Sequence, residues 1–162
     1  MRVPLPWLIL VAAACGGSSP QPTTPANTAP PSPGPVAVAP PAADKAACAN
    51  HPEEFGPYIL TADQAAARYG KTATRFSDAP TTKDKAIEVC GIPAQQAWLM
   101  KTSCADSSKA FSSPGQIPGS RRGNVGEGGR CGAIIDLYIA KCPEAEYEVH
   151  IDMYMCGPGE QF

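Results

Sequence analysis

The sequence predicts an α+β fold, small and disulfide-stapled, with antiparallel β hairpins and one short helix. Three observations carry it: alternating apolar positions near the C-terminus, one helix-capping pattern, and six cysteines, Cys48, Cys90, Cys104, Cys131, Cys142 and Cys156, spread over that part of the chain. From Tyr147 to Met155 the odd positions Tyr147, Val149, Ile151, Met153 and Met155 are apolar, with Glu148, His150 and Asp152 between them, the period of a half-buried strand. Gly132 to Cys142 alternates in the same way, placing Ile135, Leu137 and Ile139 on one face and Asp136 and Tyr138 on the other. The two form a hairpin around Pro143, Glu144 and Ala145. Because opposed residues share a face, odd is expected to pair with odd, across a loop of three or five residues or a bulge.

The helix is expected to start at Thr61, where Thr61-Ala62-Asp63-Gln64 is a capping-box pattern, and to run through Tyr69 to a stop at Gly70. Phe55, Tyr58, Ile59 and Leu60 precede it and should pack onto the core. A second hairpin is expected from Ala86–Cys90 and Gln96–Cys104, with Gly91, Ile92 and Pro93 in its turn and Trp98 as a core anchor.

The register of the C-terminal hairpin brings Cys131 and Cys156 to its open end, so a Cys131–Cys156 disulfide is favoured, while Cys142 and Cys156 lie at opposite ends and should not pair. The cysteines have no Cys-x-x-Cys spacing. Disulfides are therefore expected rather than zinc or dithiol chemistry, and no metal or cofactor is anticipated.

Met1 to Cys15 opens with Arg2, continues through Leu5, Trp7, Leu8, Ile9, Leu10 and Val11, and ends in Ala12-Ala13-Ala14-Cys15. The apolar run is shorter than the roughly 20 residues of a membrane span. Its end resembles the lipobox of bacterial lipoprotein signal peptides, with Ala12 where Leu is usual. The resemblance implies cleavage after Ala14 (signal peptide 1–14), lipidation of Cys15, and a membrane anchor through its acyl chains. Gly16 and Gly17 follow, and the lack of Asp there is associated in that family with the outer membrane, facing the periplasm or the surface. Removing Cys15 also leaves an even set of cysteines.

From Gly16 to Ala43 no residue is charged, and Gly16–Ala47 holds nine Pro and eight Ala in 32 positions. Residues 15–47 are thus expected to be a disordered, polyproline-like tether, reaching up to roughly 100 Å. Residues 48–162 form the single folded domain of this reading. In outline the N-terminal part resembles the Pro-rich tethered lipoproteins common in myxobacteria and related Gram-negatives.

Over the 162 residues the formal net charge is −2, which gives no basic field for nucleic acid. Cys48–Ile135 carries ten basic and eight acidic residues and Asp136–Phe162 one and six, so the C-terminal hairpin is acidic. Seven of the 18 residues Gly115–Gly132 are Gly, beside Arg121, Arg122 and Arg130. Such a loop can cradle an anion, although the surface-loop reading is the stronger. Asp136, His150 and Asp152 are candidates for a catalytic set if the register gathers them on one face, with Tyr138 opposite His150. His51 reads as a solvated residue at the start of the domain. The expectation is a membrane-anchored, non-catalytic binding module with an envelope protein or extracellular ligand as partner. A small hydrolase using His150 with Asp136 or Asp152 is the alternative, and an inhibitor of secreted proteases a third.

Overall fold

The computed structural model describes residues 45–51 and 56–162. The signal peptide, Cys15, the tether and Phe55 lie outside the described residues. The elements run α1 (Lys45–Cys48), β1 (Tyr58–Ile59), α2 (Ala62–Ala66), β2 (Ile87–Glu88), α3 (Gly91–Lys101), α4 (Ile117–Ser120), β3 (Arg121–Gly128), β4 (Ala133–Lys141), β5 (Glu146–Asp152) and β6 (Met155–Cys156). Four strands form a mixed sheet in the order β2-β5-β4-β3, in which β2 and β5 are parallel. β1 and β6 form a separate parallel pair. The α+β class therefore holds, and three disulfides staple it.

Thr61 caps α2 with the reciprocal bonds that its sequence predicts, Gln64 N–H to Thr61 Oγ1 at 3.3 Å and Thr61 N–H to Gln64 Oε1 at 2.9 Å. The helix ends at Ala66, earlier than expected, and Gly70 closes the following turn at φ +75°. The expected hairpin over Ala86–Cys104 is replaced by β2 and α3. Pro93 sits in the first turn of α3, where its missing N–H costs no helical bond. Buried Gly91, Gln95, Trp98 and Leu99 fall at helical spacing, so the segment lays one stripe on the core. Trp98 is the anchor expected of it: it packs with Phe76, Ile87, Tyr138 and Val149, and its Nε1–H donates to Gly70 O at 2.8 Å.

In the β4–β5 hairpin Leu137 lies opposite His150 and Tyr138 opposite Val149, so odd pairs with even. Lys141 meets Glu146, leaving a four-residue loop, Cys142–Ala145, closed by Cys142 N–H to Ala145 O at 2.9 Å. This corrects the expected parity. β5 shows its odd residues to the core as predicted, but β4 shows Tyr138 and Ala140, and turns Leu137 and Ile139 outward. The sequence was ambiguous there because β4 is apolar on both faces.

The Gly-rich segment is not a loop throughout: it holds α4 and then the edge strand β3 before a turn at residues 129–132. β3 pairs with β4 through register shifts between Arg121 and Gly123 and between Asn124 and Glu127, with Gly123 and Gly126 at positive φ.

The favoured Cys131–Cys156 bond is not formed. The disulfides are Cys48–Cys131, Cys90–Cys156 and Cys104–Cys142, with Cα separations of 5.3, 4.5 and 5.5 Å. The β5 ladder stops at Asp152, and the chain then passes Cys90 at Tyr154 and joins β1. Cys156 is thereby brought to Cys90 instead of Cys131. Each bond closes a long stretch of chain, 83, 66 and 38 residues, and constrains the unfolded state by about 4 kcal/mol in a loop-entropy model.

Proteolysis of the unreduced protein should release peptides joined as 48–131, 90–156 and 104–142, and a 131–156 peptide would overturn this connectivity. Gly70 provides a second check: a Cβ there would lie 2.3 Å from Cδ1 of fully buried Ile87, at a backbone angle that L residues resist. Gly70→Ala is expected to lower stability by about 2–4 kcal/mol in chemical denaturation.

Candidate functional site

A cleft of about 160 Å3 opens where the β1–β6 pair meets the far end of the β3–β4 hairpin. Its walls are His51, Gly56, Tyr58, Glu127, Gly132, Ala133, Ile134 and Tyr154. β1 places Tyr58, whose N–H donates to Tyr154 O at 2.7 Å and whose Oη–H donates to Cys131 O at 2.9 Å. The β3–β4 register sets Glu127 opposite Ile134. His51 stacks on Tyr58 with centroids 4.4 Å apart and its Nε2 lies 2.8 Å from Gly56 O, so it is half-buried and structured, not the solvated residue expected. Tyr154 packs against Phe162 at 5.3 Å.

Behind this cleft lies a buried charge cluster. The parallel register pairs Glu88 with Asp152. Arg130 reaches Glu88 with Nη2 donating to Oε2 at 2.9 Å, while its Nε, also 2.9 Å from Oε1, points its hydrogen off that line. Asp152 is fully buried; Oδ1 accepts from Tyr154 N–H at 3.0 Å, and Oδ2 has no hydrogen-bond partner. Burial, with Glu88 adding to it, pushes the Asp152 carboxyl up to about 7. Burial also raises Glu88, against the pull of Arg130. The Gly128–Gly129 turn roofs the cluster: a Cβ on Gly129 would lie 2.8 Å from Asp152 Oδ2, and one on Gly128 would lie 2.4 Å from Lys83 O.

The proposed catalytic set is not assembled. Asp136 lies on the core face opposite Ile151, whereas His150 and Asp152 lie on the other face, opposite Leu137 and Ile135. Asp136 is held by Arg121, Nη2 to Oδ1 at 2.7 Å and Nε to Oδ2 at 3.2 Å. His150 is tied to Thr81, which accepts from its backbone N–H at 3.0 Å and lies 3.3 Å from Nδ1. Burial lowers its pKa and Glu148 opposes that shift. Neither His150 nor Tyr138 lines the cleft of His51 and Tyr154.

The arginines do not converge either. Arg121 is spent on Asp136 and Arg130 on Glu88, and only Arg122 lines a depression, of about 230 Å3, with Phe111, Ser120, Ile139 and Lys141. The arginines expected to help a Gly-rich loop cradle an anion are therefore not gathered at one place. Among the described residues, Cys104, Cys142 and Glu144 bring possible metal-ligating atoms within 4.8 Å, but the two sulfurs are joined as a disulfide.

Sequence reasoning missed Glu127, Ile134 and Tyr154 as neighbours. The one usable signal was Tyr154, an aromatic at an even position where the odd residues of the strand are apolar. No protein-family model, curated protein or solved structure matches the chain.

The Asp152 carboxyl supplies a pH test. Its folded pKa is raised, so the native state holds a proton that the unfolded chain releases from about pH 4 upward. Its contribution to stability is full below that point and is lost as pH rises to about 7. Denaturation at pH 5 and pH 8.5 should show wild type losing stability at the higher pH. Asp152→Asn, isosteric and neutral, should flatten that loss and exceed wild type at pH 8.5 by about 1–3 kcal/mol. Parallel curves would assign the pH dependence elsewhere.

Proposed function

We propose that this chain is a lipid-anchored envelope protein whose cysteine-stapled part is a non-catalytic binding module, held off the outer membrane by its Pro/Ala tether. The anchor is Cys15, on the strength of the lipobox resemblance. The partner is an envelope protein or an extracellular ligand.

The observation that supports binding is the construction of the His51–Tyr154 cleft. Its walls come from distant parts of the chain, and each is fixed: the Cys48–Cys131 disulfide ties the start of the described chain to the β3–β4 turn, and Tyr58 bonds both to Cys131 O and to Tyr154 O. A cleft fixed before its ligand arrives loses little conformational freedom on binding. Its described lining residues are aromatic, acidic and apolar apart from the His51 imidazole, and hold no Ser, Thr or Cys nucleophile.

Two measurements test the proposal. The intact mass of protein taken from its own membrane should correspond to a chain beginning at acylated Cys15, and Cys15→Ser should release the protein to the soluble fraction; a non-acylated chain overturns the anchor. A photo-reactive phenylalanine derivative in place of Ile134, at the cleft rim, should give a discrete adduct in cells. The same group in place of exposed Ser108 serves as control. Absence of any Ile134-specific adduct overturns the cleft as the binding surface.

A further inference from the structure

We propose that the His51–Tyr154 cleft takes a cation, an ammonium head group on an alkyl stem of the kind a lysine side chain carries; this rests on the binding-module reading above. The lining decides the sign of the ligand. Among the described lining residues Glu127 is the carboxylate, and neither Lys nor Arg is present. The carbonyl of Gly56 can only accept, so the His51 nitrogen 2.8 Å from it carries the hydrogen. Tyr58 spends its hydroxyl hydrogen on Cys131 O, which leaves its lone pairs for a donor. Acceptors therefore dominate the cleft, and an anion entering it would face Glu127 without a counter-charge.

Electrostatics behind the wall agree. Arg130, the nearest guanidinium of the roofing turn, is bound to Glu88. The Tyr58 hydroxyl is held above its ordinary value by burial first, then by Asp152 and Glu127, and of these two acids Glu127 lines the cleft itself. Tyr58 and Tyr154 add ring faces, one backed by His51 and the other by Phe162.

Size and rim narrow the class further. At about 160 Å3 the cleft falls below the roughly 300–1,000 Å3 of sites for drug-sized molecules, and suits a side-chain-sized group. Ile134, 37% exposed at the rim, offers apolar surface to an alkyl stem.

The test uses the full chain in detergent, followed by backbone amide NMR during titration with n-butylammonium chloride or sodium butyrate at matched ionic strength. Butylammonium should move the amides of Tyr58, Glu127 and Tyr154 to saturation, and butyrate should not. Glu127→Gln, at an exposed position, should weaken butylammonium binding about fivefold while leaving distant amides in place. A Gly-Lys-Gly peptide separates the sources of the cation: tighter binding than butylammonium identifies a protein side chain, and equal binding a free amine. Equal shifts with butyrate, or binding indifferent to Glu127→Gln, overturns the proposal. An Ile134 adduct in cells without any butylammonium shift overturns the cation alone, and the loss of both overturns the binding module as well.

Discussion

The register of the β4–β5 hairpin is the constraint on which the rest of the molecule depends. Tyr138 and Ala140 must face α3 and the aromatic cluster around Phe76, together with Val149 and Ile151 from β5. A four-residue loop is what lets both strands present those residues to one side. Slipping the pairing by one residue would turn one strand over, and if that strand were β5 it would take Val149 and Ile151 out of the core together, a cost of several kcal/mol at the usual burial energies. Once the register is set, Asp136 is committed to the core face, where Arg121 neutralises it, and His150 and Asp152 are committed to the opposite face.

That opposite face is covered over only part of its length. Near the hairpin loop, Leu137, Ile139, Glu148 and His150 remain partly or fully exposed. At the other end Ile135 and Asp152 are fully buried, under the Lys83 segment and the Gly128–Gly129 turn. The close backbone approach there is why glycine occupies both turn positions. The roof brings Arg130 into the interior against Glu88, delivers Cys131 to Cys48, and makes one wall of the cleft. Packing, charge burial and cross-linking thus converge on one turn.

What was legible in the sequence follows from this arrangement. α2 was legible because its capping box is local and its bonds need no tertiary partner. The face of β5 was legible because one side of that strand meets the core along its length. β4 was not, since Ile134, Ile135, Leu137, Tyr138, Ile139 and Ala140 make it apolar on both sides, and a period of two has no phase when both sides are apolar. The stripe of Gly91, Gln95, Trp98 and Leu99 was present to be read, but the Gly-Ile-Pro that opens α3 looks like a turn when its position in the first helical turn is unknown. The disulfide partners and the cleft depend on where the chain leaves the β5 ladder after Asp152, a non-local event without a sequence signature. The catalytic grouping of Asp136, His150 and Asp152 failed for the same reason as the register did.

The distribution of charge links the core to the cleft. Among the described residues the ion pairs are Arg68–Glu160, Arg121–Asp136, Arg130–Glu88 and Lys141–Glu146. Glu127 and Asp152, both of which raise the Tyr58 hydroxyl, belong to none of them. Asp152 avoids the full cost of an uncompensated buried charge by retaining its proton up to about pH 7. Glu127 remains at the surface, where water offsets its charge until a ligand displaces it. Asp152 lies within the field of Arg130, yet that guanidinium is taken by Glu88. One guanidinium between two buried acids therefore leaves Asp152 protonated inside, and Glu127, in no ion pair at the cleft wall, gives a cationic partner something to neutralise.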